Sequence, residues 1–125
     1  MYTFEDLMQA LKESNRPYDF DMITEAYRYA DKAHEGQMRQ SGDPYITHPI
    51  AVAQILLELG MDTETICAGL LHDVVEDTST TLDDIKRLFG ADVALMVDGV
   101  TKLTKLSYFP VHIHVLMRKK EQLCQ

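Results

Sequence analysis

Leu70-Leu71-His72-Asp73-Val74-Val75-Glu76-Asp77 sets one imidazole and three carboxylates within six positions of an otherwise apolar run. A carboxylate in such a run is costly to desolvate unless it is paired or bound to a cation. In a helix, His72 and Glu76 fall one turn apart, as do Asp73 and Asp77. The adjacent His72 and Asp73 point about 100° apart, yet can converge on one ion lodged between this helix and a neighbour. The flanking Leu70, Leu71, Val74 and Val75 place the helix inside the protein, which makes a solvated charged edge the lesser reading.

Outward from this run the chain reads as helices. Upstream, Asp62 or Thr63 starts the helix that carries it, with Ile66, Cys67, Leu70, Leu71, Val74 and Val75 as its buried stripe. Before that, Pro49 suits a first helical turn, and Ile50, Ala53, Ile55, Leu56, Leu57 and Leu59 make a nearly all-round apolar helix that is expected to be the central one. Gly60 ends it. A first helix is expected from Thr3, which forms a capping box with Asp6, to about Ser14, and Arg16-Pro17 ends it. A second helix starts at Asp19 or Asp21 and stops near Gly36, with Ile23, Ala26, Tyr27, Ala30, Ala33 and His34 on one face. Downstream, Thr81 with Asp84 caps a helix whose core is Leu82, Ile85, Leu88 and Phe89, and Gly90 stops it. A last helix covers Ala91 to about Thr101, with Val93, Met96, Val97 and Val100 inward. The fold class is therefore all-α, with five or six helices. Beyond Leu106 the alternating Val111, Ile113 and Val115 break the helical period and leave an irregular tail ending in a basic stretch, Arg118-Lys119-Lys120.

The 125 residues, 46% of them hydrophobic, are enough for one domain with a real core. A net charge of −8 excludes a global basic footprint for nucleic acid. It also means that an anionic small substrate needs a local cation, either a metal or placed Arg and Lys residues. Two cysteines, Cys67 and Cys124, are too few for a disulfide framework and fit a reduced, cytoplasmic protein. The acidic N-terminus lacks the apolar core of a signal peptide, and no apolar run is long enough to span a membrane.

His48, upstream of the His72-Asp73 pair, completes a candidate metal constellation. Imidazole with carboxylate suits Mn, Fe or Zn better than Ca. His34 reads as a packing residue or as a hydrogen-bond partner of a ligand. Glu76 and Asp77, one turn further on, can orient or deprotonate a water and protonate a leaving group. Acidic residues at a helix C-terminus oppose its dipole, so a nearby cation would explain them, the bland alternative being a solvated helix end. Gln37 to His48 is a long aperiodic stretch whose Gly42-Asp43-Pro44 is turn chemistry. Loops of that length in a small domain are often functional. Arg39 within it is a candidate for gripping a phosphate or stacking on a base, or else a solvated loop arginine.

Four motifs now carry a resemblance. Ala33-His34-Glu35-Gly36-Gln37-Met38-Arg39, Ser41 to Pro49, Leu71 to Thr78 and Asp98-Gly99-Val100-Thr101-Lys102-Leu103 resemble the N-terminal HD-type hydrolase domain of the RelA/SpoT family, over roughly Ala26 to Leu106. The resemblance implies an all-helical HD-domain bundle that binds one Mn²⁺ ion. The implied activity is a 3′-pyrophosphohydrolase that converts guanosine tetra- or pentaphosphate to GDP or GTP and pyrophosphate in the stringent response. By motif, His48, His72 and Asp73 would be metal ligands, Glu76 and Asp77 the catalytic pair that activates the attacking water, Arg39 the residue against the guanine, and Ser41 a neighbour of the nucleotide. Gln40 stands where many relatives carry Lys, which would weaken a phosphate contact.

The family's fourth metal ligand, an Asp in a later Leu-Ala-Asp-Arg-Leu-His-Asn-like segment, has no counterpart in this sequence. The expected organisation is an HD-type domain over residues 1–106, incomplete at its C-terminal side, followed by a divergent tail, 107–125. In that tail His112 and His114 are more readily an incidental pair than a replacement ligand. Uncovered apolar faces on the third, fourth and last helices would favour self-association. Two alternatives accompany the main reading. One is an inactive or nucleotide-binding remnant of such an enzyme, and the other an HD-type phosphohydrolase acting on another nucleotide.

Overall fold

The computed structural model describes residues 2–35 and 47–104, all helices and short turns, with no strand among the described residues. Five or six helices were expected, and among the described residues there are six, one of them split so that a single turn stands apart. They are α1 Phe4–Glu13, α2 Phe20–Ala33, α3 Thr47–Glu58, α4 Thr63–Leu71, α5 Val74–Asp77, α6 Leu82–Phe89 and α7 Ala91–Thr104.

Short polar side chains decide where the helices begin. The first amides of a helix have no intrahelical acceptor, and Thr or Asp just outside the helix supplies one. Thr3 and Asp6 form the expected capping box on α1, with Thr3 N–H donating to Asp6 Oδ2 at 2.9 Å and Asp6 N–H donating to Thr3 Oγ1 at 3.3 Å. Asp19 accepts from Met22 N–H at 3.0 Å to start α2. Asp62 accepts from Thr65 N–H at 2.9 Å to start α4. Thr81 and Asp84 box α6 through bonds of 3.0 and 3.2 Å.

The α6 box carries a prediction. The Thr81 amide and hydroxyl hold the Asp84 carboxyl below its ordinary value. A depressed carboxylate contributes stability that is present above the unfolded-state value and is lost as pH falls through the folded-state value. Thr81→Ala is expected to cost about 0.5–2 kcal/mol at neutral pH and to flatten the acid limb of the melting temperature against pH. Calorimetric scans across the acid range check both effects, and parallel curves for the two proteins would show that the box is not coupled to folding.

The centre of the bundle is α4, which packs against α3, α2 and α7, while α6 packs on α7 and α1 on α3. This corrects the expectation that the third helix is central. In α4, Ile66, Cys67, Ala68, Gly69, Leu70 and Leu71 are all buried, whereas Val52, Ile55 and Leu56 of α3 are only half-buried. The reason is size as much as hydropathy. Gly69 leaves room for the α3 side chains, and a Cβ on it would sit 2.7 Å from Leu56 Cδ1. Burial also pushes the Cys67 thiol up to about 12, so it is an inert packing residue.

The expectation of bare faces is corrected for α4, which is covered by α2, α3 and α7. Among the described residues the exposed large apolar side chains are Leu59 and Met61 just past the end of α3, Leu88 on α6 and Leu95 on α7, and Leu88 was expected in the core. Around the centre, Leu7, Leu11, Ile23, Ile85, Val93 and Val97 are fully buried, and Phe4 stacks on Tyr27 with ring centroids 4.0 Å apart. No described helix is long and apolar enough to cross a membrane. Arg39, Ser41, His112, His114, Cys124 and the 107–125 tail lie outside the described residues.

Candidate metal centre

The run expected to be one helix is two. α4 ends at Leu71, His72 and Asp73 form a turn, and α5 is a single turn from Val74 to Asp77. The backbone stays near helical values through the break, with φ −62° at His72 and −88° at Asp73. Asp77 N–H still donates to Asp73 O at 2.9 Å. The expected one-turn spacing from Asp73 to Asp77 therefore survives, while the axis is interrupted where the polar residues sit.

Two elements deliver the candidate ligands. His48 comes from the first turn of α3, and His72 and Asp73 from the junction after α4. One donor atom from each lies within 4.8 Å of the others. His72 Nε2 is 3.1 Å from Asp73 Oδ1, and His48 Nε2 is 3.9 Å from Asp73 Oδ2. Donor atoms that share one ion through bonds near 2.0–2.2 Å stand roughly 3–4 Å apart. The His48 and His72 rings are tilted at 59° with centroids 5.5 Å apart, so neither stacks its face over the other's ring nitrogens.

The tautomer of His72 decides whether these residues fit a cation. His72 Nδ1 is 2.7 Å from the carbonyl oxygen of Gly69. A carbonyl only accepts, so Nδ1 carries the hydrogen and a neutral ring presents its lone pair at Nε2. That lone pair faces Asp73 Oδ1, itself an acceptor. Two acceptors at this distance need a proton or a cation between them. A carbonyl that holds the distal N–H of a ligating imidazole is also a recurrent arrangement in metal sites. The donor set therefore fits a divalent cation.

The surrounding charge agrees. Burial is the main cause that pushes the Asp73 carboxyl up, and Asp77 and Glu76 add to it, while His72 and His34 act in the opposite direction. A buried carboxylate flanked by two more is unfavourable until a cation neutralises it. His34 is buried at the C-terminal end of α2, and its electrostatic action on Asp73 fits the role expected for it beside the ligands. Glu76 and Asp77 are exposed on α5, open to solvent beside the cluster.

Sequence reasoning missed the Gly69 carbonyl, since backbone acceptors carry no residue-type signal. The small pair Ala68-Gly69 within an apolar helix was the available hint. A separate cleft of about 450 Å³, lined among others by Arg16, Tyr18, Asp19, Met61 and Asp62, lies at the opposite end of α4. The nine residues of α4 lie between Asp62 and His72, so ten steps of 1.5 Å put the two about 15 Å apart. There Arg16 Nη1 donates to Leu57 O at 3.2 Å and Tyr18 O–H to Met61 O at 2.8 Å, tying the α1–α2 linker to the end of α3.

Comparison with known proteins follows the same lines. A family model described as HD domain matches residues 26–123. The bifunctional (p)ppGpp synthase/hydrolase SpoT of Escherichia coli K12 is 51% identical over 108 residues, 86% of this chain and 15% of that protein. A GTP pyrophosphokinase of Streptomyces coelicolor is 60% identical over 86 residues, 69% of this chain and 10% of that protein. A solved structure of a metazoan ortholog of SpoT that hydrolyzes ppGpp superposes with a TM-score of 0.62 at 36% identity, covering 75% of this chain and 54% of that one. The chain thus spans about 15% of the length of the first of these relatives.

Proposed function

Because this chain belongs to the HD-domain family, whose fold implies a divalent metal at such a His/Asp cluster, we propose that it is a manganese-dependent (p)ppGpp 3′-pyrophosphohydrolase. In this reading it takes guanosine tetra- or pentaphosphate and water to GDP or GTP and pyrophosphate, as a soluble cytoplasmic component of the stringent response. The observation that carries the metal side of the proposal is the acceptor pair, His72 Nε2 against Asp73 Oδ1 at 3.1 Å with Nδ1 committed to Gly69. The similarity to relatives named for this hydrolysis, such as the guanosine-3′,5′-bis(diphosphate) 3′-pyrophosphohydrolase of Vibrio cholerae, 47% identical over 108 residues, supports the substrate.

Under this proposal His48 Nε2, His72 Nε2 and Asp73 would hold the ion. When bound, it would act as a Lewis acid on the 3′-pyrophosphate and raise the acidity of a water. The protein's own work is positional and protolytic. The Gly69 carbonyl keeps the His72 ring turned toward the cluster. The Glu76 and Asp77 carboxylates, exposed one turn beyond the ligands, take the proton of the attacking water and return one to the departing oxygen. Arg39 is assigned to the guanine face and Ser41 to the nucleotide. With a net charge of −8, the ion and Arg39 supply the local positive charge that an anionic substrate requires.

The test is GDP and pyrophosphate release from ppGpp by this chain, with and without Mn²⁺, beside its Asp73→Ala variant. Mn-dependent turnover that disappears in the variant is the expected result. Tight ppGpp binding by folded protein with no turnover would make the chain a nucleotide-binding remnant. That reading draws on the cluster having three candidate ligands among the described residues. Turnover of another nucleotide with ppGpp untouched would instead reassign the substrate.

A further inference from the structure

The turn that bears Glu76 and Asp77 is a four-residue helix, and its backbone hydrogen bonds are local. Asp77 N–H donates to Asp73 O at 2.9 Å, and Thr78 N–H to Val74 O at 3.1 Å. Thr78 Oγ1–H donates to the same Val74 carbonyl at 2.6 Å, and Thr80 N–H to Thr78 Oγ1 at 3.2 Å. A single turn closed by such bonds is marginal by itself, because nucleating a helix costs more backbone entropy than one bond returns. Val74 is buried, but Glu76, Asp77 and Ser79 are exposed, so packing anchors the N-terminal end of this segment and leaves its far end to other contacts.

A tie across the fold holds that far end. The Tyr29 hydroxyl lies 3.0 Å from Thr80 Oγ1, joining positions 51 apart in the chain. Tyr29 sits in the middle of α2, half-buried, with its ring edge-on to Phe89 at 6.0 Å and 85°. The aromatic contact fixes where the hydroxyl is, and the hydroxyl fixes where Thr80 is. Thr80 is bonded to Thr78, and Thr78 to the first residue of α5.

We propose that Tyr29 is a positioning residue, its hydroxyl acting through Thr80 and Thr78 to hold the α5 turn, and with it Glu76 and Asp77, in place beside the metal cluster. The proposal rests on the hydrolase reading above and adds to it a residue remote from the ligands. Tyr29→Phe keeps the ring against Phe89 and removes only the hydroxyl. Thr80→Val removes the partner at constant shape, and Thr80→Ser retains the hydroxyl.

Steady-state ppGpp hydrolysis with Mn²⁺ tests the proposal, together with hydrogen exchange at the Asp77 and Thr78 amides. Tyr29→Phe and Thr80→Val are each expected to lower kcat about three- to tenfold, the scale of one neutral hydrogen bond, with KM and metal content unchanged. The double variant is expected to be no worse than either single one, because both remove the same bond, and Thr80→Ser to retain the parent rate. The two amides should exchange about as many times faster in Tyr29→Phe, with or without turnover. Unchanged kcat and unchanged exchange overturn the proposal, as does a lost rate that follows lost metal or global unfolding. A parent chain that binds Mn²⁺ yet hydrolyses nothing overturns the functional reading instead. The exchange rates then decide whether Tyr29 holds the turn.

Discussion

Replacing His72 with alanine is expected to strip the protein of its metal. Of the candidate ligands, His72 is the one whose orientation is most fully determined, since Nδ1–H is held by Gly69 O at 2.7 Å and Nε2 is turned onto Asp73. Alanine removes a donor atom and leaves Asp73 and His48 as a two-residue remnant. Loss of groups that merely orient ligands costs 10–100-fold in metal affinity, so loss of a ligand should cost at least about a hundredfold. Metal analysis after gel filtration should fall from one Mn²⁺ per chain to none, and hydrolysis should go with it.

Asp73→Asn separates the charge from the shape. Asp73 is disfavoured as a carboxylate by burial and by Asp77 and Glu76. The amide should therefore raise the melting temperature of the metal-free protein while abolishing the further rise that Mn²⁺ gives the parent. A site that stabilises the fold only when filled behaves this way. Unchanged metal content in His72→Ala would mean that the ion binds elsewhere, and a less stable metal-free Asp73→Asn would mean that the Asp73 carboxylate is well partnered in the empty site.

The second large effect is expected from Leu71→Ala. Leu71 is the last residue of α4 and is fully buried, and it directly precedes His72. Truncation to alanine removes the transfer free energy of the lost carbons and leaves a cavity, together about 2–5 kcal/mol. A domain of this size is stable by about 5–15 kcal/mol in total, so the variant should sit close to the edge of folding. Urea titration should show a lower midpoint with an unchanged slope. Metal affinity should fall as well, because collapse around the cavity moves the backbone that carries His72 and Asp73. A loss below about 1 kcal/mol, the range of volume-conserving swaps, would mean that α4 is not the packing centre.

Much of this architecture was legible before any coordinates. Thr3 with Asp6 and Thr81 with Asp84 mark helix starts by local chemistry alone, and of the alternatives Asp19 or Asp21 and Asp62 or Thr63 the structure selects Asp19 and Asp62 as the caps. Periodicity placed Ile23, Ala26 and Ala30 of α2 and Val93 and Val97 of α7 inside, and they are buried. His48, His72 and Asp73 could be grouped from ligand chemistry and motif, and the fold brings them together. Leu88 failed because its place in the helical period is necessary for burial and not sufficient. It needs a neighbouring element over it, and it stays about half exposed. The central role of α4 was missed because hydropathy ranks residues by how much surface they can bury. It does not weigh the room that Gly69 leaves for the Leu56 side chain.

The sequence by itself determined the helical class, the helix starts to within about two residues, the candidate ligand types and the family. These depend on local propensity, on capping and on residue identity, all of which act within a few positions of the chain. The tertiary structure alone decided the break at His72-Asp73, the tautomer that aims His72 Nε2, the 3.9 Å approach of His48 to Asp73 and the Tyr29–Thr80 tie. Each of these depends on how closely two helices pack or where a backbone carbonyl points. Neither is encoded in the type of any single residue.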